Sequence, residues 1–276
     1  MIARVFPRMT RATPIDDLAF IGEPYTLFPP EVDEVHISVT FTWDIPEAER
    51  LMKEWEVIAP VKIGGPAIGT KGEGFEPGKY LKPGYVITSR GCNNRCWFCS
   101  VWKREGQIRE LPITEGYNVL DDNLLACSDD HIKAVFKMLS KQNNRIEFTG
   151  GLEAALLKEW HVVELQKIRL KQMFFAYDES DDLEPLIEAG KLLLRYGFTI
   201  ESHVLRCYVL VGYPGDTFEK AEARLYQTID AGFFPMAMLF KNSKGIVGDY
   251  WRKFQKEWAR PHMVATKIKK YIMSAA

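Results

Sequence analysis

Between residues 84 and 240, short apolar runs alternate with helical segments six times, and several of the runs end on glycine or aspartate. This alternation constrains the fold more than any other feature. A strand that must cross through a helix before the next strand pairs with it in parallel, through a right-handed connection. The predicted strands are 85–89, 117–120, 145–149, 173–177, 204–212 and 234–240, with the fifth the longest. The helix after the second starts at Ser128 or Asp129 and turns Ile132, Val135, Phe136 and Leu139 to one side. The helix after the fourth covers about 182–196 and stops at Gly197. After the fifth, Asp216 is the expected cap, with Glu219 at the third position and Gly232 as the stop. Asp121, Gly150, Asp178 and Gly212 fall at strand ends, where ligand sites gather in parallel α/β proteins. Periodicity alone leaves a barrel and an open sheet equally available.

Upstream the pattern is weaker. The first 30 residues hold five prolines and read as an irregular arm. Residues 34–42 alternate apolar and polar types and read as a strand. A helix follows, with Asp44 as cap, Pro46 in the first turn and Glu47 in the capping-box position; a short strand at 61–63 completes one βαβ unit. Residues 64–84, rich in Gly and Pro, read as a linker. The expected organisation is an arm and βαβ remnant over 1–83, a core over 84–245 and a helical extension over 246–276.

Of the 276 residues 46% are hydrophobic and 26% charged, the balance of a globular protein. Lys plus Arg total 36 against 37 Asp plus Glu, so no global field draws the chain to nucleic acid or to an anionic membrane; a local basic groove stays open. The N-terminal segment lacks the apolar stretch of a secretory signal, and no window has the length of a membrane span, so the expected compartment is the cytoplasm. Five cysteines without a signal argue against a disulfide framework.

Three of those cysteines lie within eight residues, in Gly91-Cys92-Asn93-Asn94-Arg95-Cys96-Trp97-Phe98-Cys99. Thiolates select zinc or iron–sulfur clusters. Structural zinc wants four protein ligands, usually as two separated pairs. Here the loop supplies three, and Cys127 and Cys207 are isolated. Three ligands on a four-iron cluster leave one iron open, as a catalytic centre needs. Zinc with a distant histidine, and plain core cysteines, remain the alternatives.

The Cx3Cx2C spacing after the first core strand, with Phe98 just before the last cysteine, resembles the signature of the radical S-adenosylmethionine superfamily. The turn Gly212-Tyr213-Pro214-Gly215-Asp216-Thr217 is similar to one in its cobalamin-associated and methylthiotransferase-like branches. No Asp-x-His-x-x-Gly is present, and the N-terminal unit is too short for a complete cobalamin-binding domain. The resemblance implies a partial (β/α)6, TIM-like barrel. It implies a 4Fe–4S cluster on Cys92, Cys96 and Cys99, with S-adenosylmethionine chelated to the open iron. Reductive cleavage would give a 5′-deoxyadenosyl radical that takes a hydrogen atom from a small or nucleotide-like substrate. A flavodoxin- or ferredoxin-type protein would supply the electron.

On the same resemblance, Trp97 or Phe98 would flank the adenine, Gly150 and Gly151 would let the cofactor approach the backbone, and Leu210 and Gly212 would meet the adenine face. Asp121 and Asp178 are candidates for its amine or ribose. Each also has a plainer reading as loop packing, strand core or cap. The Gly-Gly-Leu-Glu run ending at Glu153 follows the third strand, where many members carry Gly-Gly-Glu after the second. For catalysis the candidates are Arg206, as an anion-binding group, Cys207, as a hydrogen-atom donor or a small buried hydrophobe, and Glu147. The rival functions are a non-catalytic iron–sulfur electron-transfer or sensor protein and a zinc-binding interaction module.

Overall fold

The computed structural model describes residues 1–24, 29–70, 75–242, 244–245 and 247–275. Parts of the expected N-terminal arm (25–28), of the linker (71–74) and of the stretch before the last helices (243 and 246) lie outside the described residues. Contacts divide the chain into two compact units, one of residues 1–116 with 243–245 and one of residues 117–242 with 246–276.

The first unit is built on strands β1 (Ile2–Phe6), β2 (Ala19–Ile21), β3 (Glu34–Ser38) and β4 (Val61–Gly64), all parallel in the order β2-β1-β3-β4. The arm expected to be irregular therefore contributes two strands. Ile2-Ala3-Arg4-Val5-Phe6 precedes the first proline and carries its own buried residues, and the prolines fall between strands where no ladder bond is needed. Helix α1 (Ile45–Trp55) covers one face, and Ala48, Leu51 and Trp55 pack on Ala3, Val5, Val35 and Ile37. The expected capping box does not form. Asp44 closes a 3-10 turn, and its carboxylate accepts from Arg8, at 2.6 Å from Nε, while Glu47 pairs with Arg50 at 2.7 Å. An arginine reaching in from the arm outcompetes the helix N-terminus for the carboxylate. The unit continues through β5 (Tyr85–Val86), β6 (Ser89–Arg90), α2 (Val101–Arg104) and β7 (Arg109–Glu110), with β6 and β7 antiparallel.

In the second unit, β8 (Asn118–Val119), α3 (Asp129–Ser140), β9 (Ile146–Phe148), α4 (Glu159–Leu165), β10 (Leu170–Tyr177), α5 (Leu183–Arg195), β11 (Leu205–Val211), α6 (Phe218–Asp230) and β12 (Phe234–Leu239) follow one another. The five strands pair in parallel in their sequence order. Two helices, α7 (Asp249–Ala259) and α8 (Pro261–Ala275), complete it. The architecture is α/β with parallel sheets, and the expected core strands from the second to the sixth form close to their expected places; the first, expected over 85–89, is broken into β5 and β6. The longest is β10, with eight residues, rather than β11. Its first residues include Lys171 and Gln172, which look like loop residues in sequence but pair with Glu147 on β9 at 2.7 and 2.5 Å.

Cap assignments resolve physically. Ser128 Oγ accepts from the His131 amide at 3.2 Å and starts α3. For α6 the cap is Thr217, whose Oγ1 accepts from Lys220 N at 3.3 Å, and not Asp216. No helix among the described residues is long and apolar enough to cross a membrane.

Candidate functional site

Cys92, Cys96 and Cys99 lie in the first unit, in an excursion whose two ends are tied together by the β6–β7 ladder. Gly91 enters it at φ 92°, a conformation that disfavours side chains, and a Cβ there would stand 2.2 Å from the Gln107 carbonyl oxygen. Cys92 N donates to Gly106 O at 3.1 Å, and Ile108 N donates to Asn93 Oδ1 at 3.3 Å. The return limb is anchored by Glu105, which is buried and accepts from Arg104 at 3.0 Å and Arg109 at 2.7 Å. Within the loop, Cys99 N donates to Cys96 O and Trp102 Nε1 to the same oxygen, both at 3.1 Å. The Val101 amide donates to Cys99 Sγ at 3.5 Å. All three cysteines are partly exposed. Trp97 is 49% exposed and meets Phe98 edge-on at 5.4 Å, so neither ring is locked into a core.

Among the described residues no three His, Cys, Asp or Glu side chains converge as they would around a single ion. A four-iron cluster makes a different demand, since each thiolate binds its own iron and the sulfurs stand at separate corners. The donor set meets that demand in kind: three soft ligands, partly accessible, on a loop tied at both ends.

The remaining predicted residues lie in the second unit; those at strand ends form two groups, and Arg206, Cys207 and Glu147 lie within strands. Asp121, Gly150 and Gly151 meet at the ends of β8 and β9. A Cβ on Gly150 would stand 2.1 Å from Asp121 O, and Gly151 N donates to that oxygen at 3.1 Å. The glycine requirement at 150 is thus already accounted for by the chain's own backbone. Asn123 Nδ2 holds Glu153 at 2.5 Å.

Asp178, Leu210 and Gly212 meet at the ends of β10 and β11. The β10–β11 ladder stops at Tyr177 and Val209. The Asp178 side chain continues it, accepting from Leu210 N at 3.0 Å. On the other side Leu210 O accepts from Arg224 at 2.9 Å. The Arg224 guanidinium also pairs with Asp216 at 2.9 Å, and the Asp216 side chain, which has no exposed surface, accepts from Gly212 N at 2.9 Å and Thr217 N at 3.0 Å. Burial, with repulsion from Asp182 and Glu179, pushes the Asp178 carboxyl up to about 7 against the pull of the Leu210 amide. Asp216 was expected as a helix cap within the Gly212–Thr217 turn; its partner Arg224 was not anticipated from the sequence. The available signal was an arginine on the apolar face of α6, in register with Ala221, Leu225 and Thr228.

Arg206 and Cys207 point to opposite faces of β11. Cys207 has no exposed surface, and burial pushes its thiol well up, which suits a small apolar side chain. Arg206 stands on the other face over the rings of Phe174 and Phe234, at 5.8 and 5.5 Å, beside Tyr208 stacked on Phe174 at 4.3 Å. Glu147 and Asn118 are a registered cross-strand pair and both are buried. No protein-family model matches the chain, and no curated protein matches it either.

Proposed function

We propose that this chain is a radical S-adenosylmethionine enzyme with a partial (β/α)6 barrel, acting on a small or nucleotide-like substrate. The observation that carries the reading is the Cx3Cx2C loop, tied at its base by β6 and β7 and offering partly accessible thiols with a backbone amide on Cys99 Sγ. Sequential parallel strands with carboxylate and glycine ends support it. Cys92, Cys96 and Cys99 would hold the cluster, which when bound supplies the electron for reductive cleavage of S-adenosylmethionine. The chain's own work is holding and orienting. Glu105 clamps the loop; Asp121 and Asp178 offer polar groups at strand ends; Trp97 and Phe98 offer flat apolar surface beside the thiols; Arg206 offers a cation for an anionic substrate group. A ferredoxin- or flavodoxin-type donor fits the low potentials such clusters reach. Five free cysteines fit a reducing compartment such as the cytoplasm.

The test is anaerobic reconstitution with iron and sulfide, followed by iron counting, electron paramagnetic resonance after reduction, and an assay for 5′-deoxyadenosine with added S-adenosylmethionine. About four irons per chain, a spectrum altered by S-adenosylmethionine and formation of 5′-deoxyadenosine are expected. Substituting the three cysteines by Ala removes all three signals. A colourless, zinc-loaded protein, or a cluster indifferent to S-adenosylmethionine, refutes the reading in favour of an interaction module or an electron carrier.

A further inference from the structure

The charge of this chain is nearly balanced overall but not along its length. Over residues 249–275 seven side chains are Lys or Arg and two, Asp249 and Glu257, are acids. On α7 the imbalance is also directional. Trp251, Phe254 and Trp258 are spent inside the unit. Trp251 and Phe254 pack with Phe218, at 4.5 and 5.4 Å, and Trp258 is fully buried against Tyr226. At 100° per residue the opposite face carries Arg252, Lys253 and Lys256, and Arg260 follows as the extended residue that ends the helix; all four are exposed. Arg252 and Lys256 stand about 6 Å apart along the axis. Lys253, Lys256 and Arg260 form no ion pair among the described residues, and Arg252 has only a long one to Asp249 at 3.6 Å. Tyr250, on the flank of this stripe, is 81% exposed. Lys269 and Lys270 on α8 are exposed as well.

We propose that the outer face of α7 binds the phosphate backbone of a single-stranded RNA, with Tyr250 as a stacking surface for a base. The inference goes beyond the cluster chemistry and does not depend on it. A cluster of exposed cations, most of them without an ion pair among the described residues, suits a polymer with one charge per residue, and an adjacent exposed ring suits an unstacked base. An anionic membrane is a poorer match, because a helix that settles into a bilayer surface needs its apolar face, and here that face is occupied. A nucleotide presented within such a strand also belongs to the substrate class proposed above.

The experiment is fluorescence anisotropy of the full-length protein with a labelled, unstructured RNA of about 12 nucleotides, repeated across a salt series. Three to four phosphate contacts predict a slope of log K against log salt of about −2 to −3. The triple variant Lys253→Ala, Lys256→Ala, Arg260→Ala should weaken binding at least tenfold and bring the slope to about −1 or shallower. Tyr250→Ala should weaken binding and leave the slope unchanged. Removing three exposed lysines from α3, at Lys133, Lys137 and Lys141, should change neither. Loss of binding in that control variant, an unchanged slope in the α7 variant, or equal affinity for polyglutamate or for phosphatidylglycerol vesicles at the same salt overturns the proposal.

Discussion

Replacing Arg224 by Met tests what holds the end of β11. The guanidinium is nearly buried, with 11% of its side chain exposed, and its partner Asp216 has none. The change removes the donor to Leu210 O and leaves the Asp216 carboxylate facing only the amides of Gly212 and Thr217. Stranding one member of a buried pair costs about 3–5 kcal/mol, and the lost bond to Leu210 O contributes within that total. At about 2–4 °C per kcal/mol for a chain of this order, the melting temperature falls by about 6–20 °C. Urea and thermal unfolding followed by circular dichroism read the loss. The companion Asp216→Leu strands the cation instead. The double variant, apolar at both positions, should recover most of the loss, because a packed apolar pair replaces an ion pair with little net penalty. A loss below about 1 kcal/mol in Arg224→Met, or strictly additive losses in the double variant, refutes the idea that the two charges act as a unit.

Gly150→Ala drives a methyl to 2.1 Å from Asp121 O, so strand ends must separate, and a loss of about 2 kcal/mol or more in urea unfolding is expected. A neutral result there means that the two backbones can move apart freely. Asp178 gives a pH signature. Its carboxyl titrates near 7 in the folded chain against an ordinary value of 3.8, so the folded state holds the proton more tightly and stability falls as pH rises toward and through 7. Between pH 5 and pH 8 this amounts to about 2–3 kcal/mol, and Asp178→Asn should flatten the profile over that window. An Asn variant with the wild-type profile rules out Asp178 as the titrating group.

The alternating core was legible because each strand is a short apolar run with its own stop, and the helices show their buried sides at helical spacing. The first strand, Ile2–Phe6, was hidden by prolines that turn out to lie outside it. The capping pattern misled twice. At Asp44 the carboxylate is claimed by Arg8, a competitor that arrives through the fold and that local spacing does not register. At Asp216 the carboxylate turns to Gly212 N and to Arg224, two turns along α6, and Thr217 caps the helix instead. The cysteine loop was legible from spacing, whereas its anchor was not. Glu105 looks like an ordinary charged residue until β7 brings Arg109 to it, and only then does the loop have a fixed base.

The strand-end carboxylates also differ in what they can offer a ligand. Asp178 has one oxygen committed to the Leu210 amide, and burial pushes its carboxyl up to about 7, so the proton is held into the neutral range. A group in that condition is a weak partner for an ammonium unless the ammonium first displaces the proton, so capture of an amine there would release a proton and tighten as pH rises. A ribose hydroxyl makes no such demand, since it can accept from the protonated form or donate to the ionised one. Under the proposed reading Asp178 therefore suits the sugar better than the amine. Isothermal titration of S-adenosylmethionine into the reconstituted protein, in buffers of differing ionisation enthalpy near pH 7, separates the two. An amine that binds iron sheds its own proton, so the comparison is with Asp178→Asn: equal proton release in the two proteins supports the hydroxyl contact, and lower release in the variant assigns the carboxylate to the amine instead.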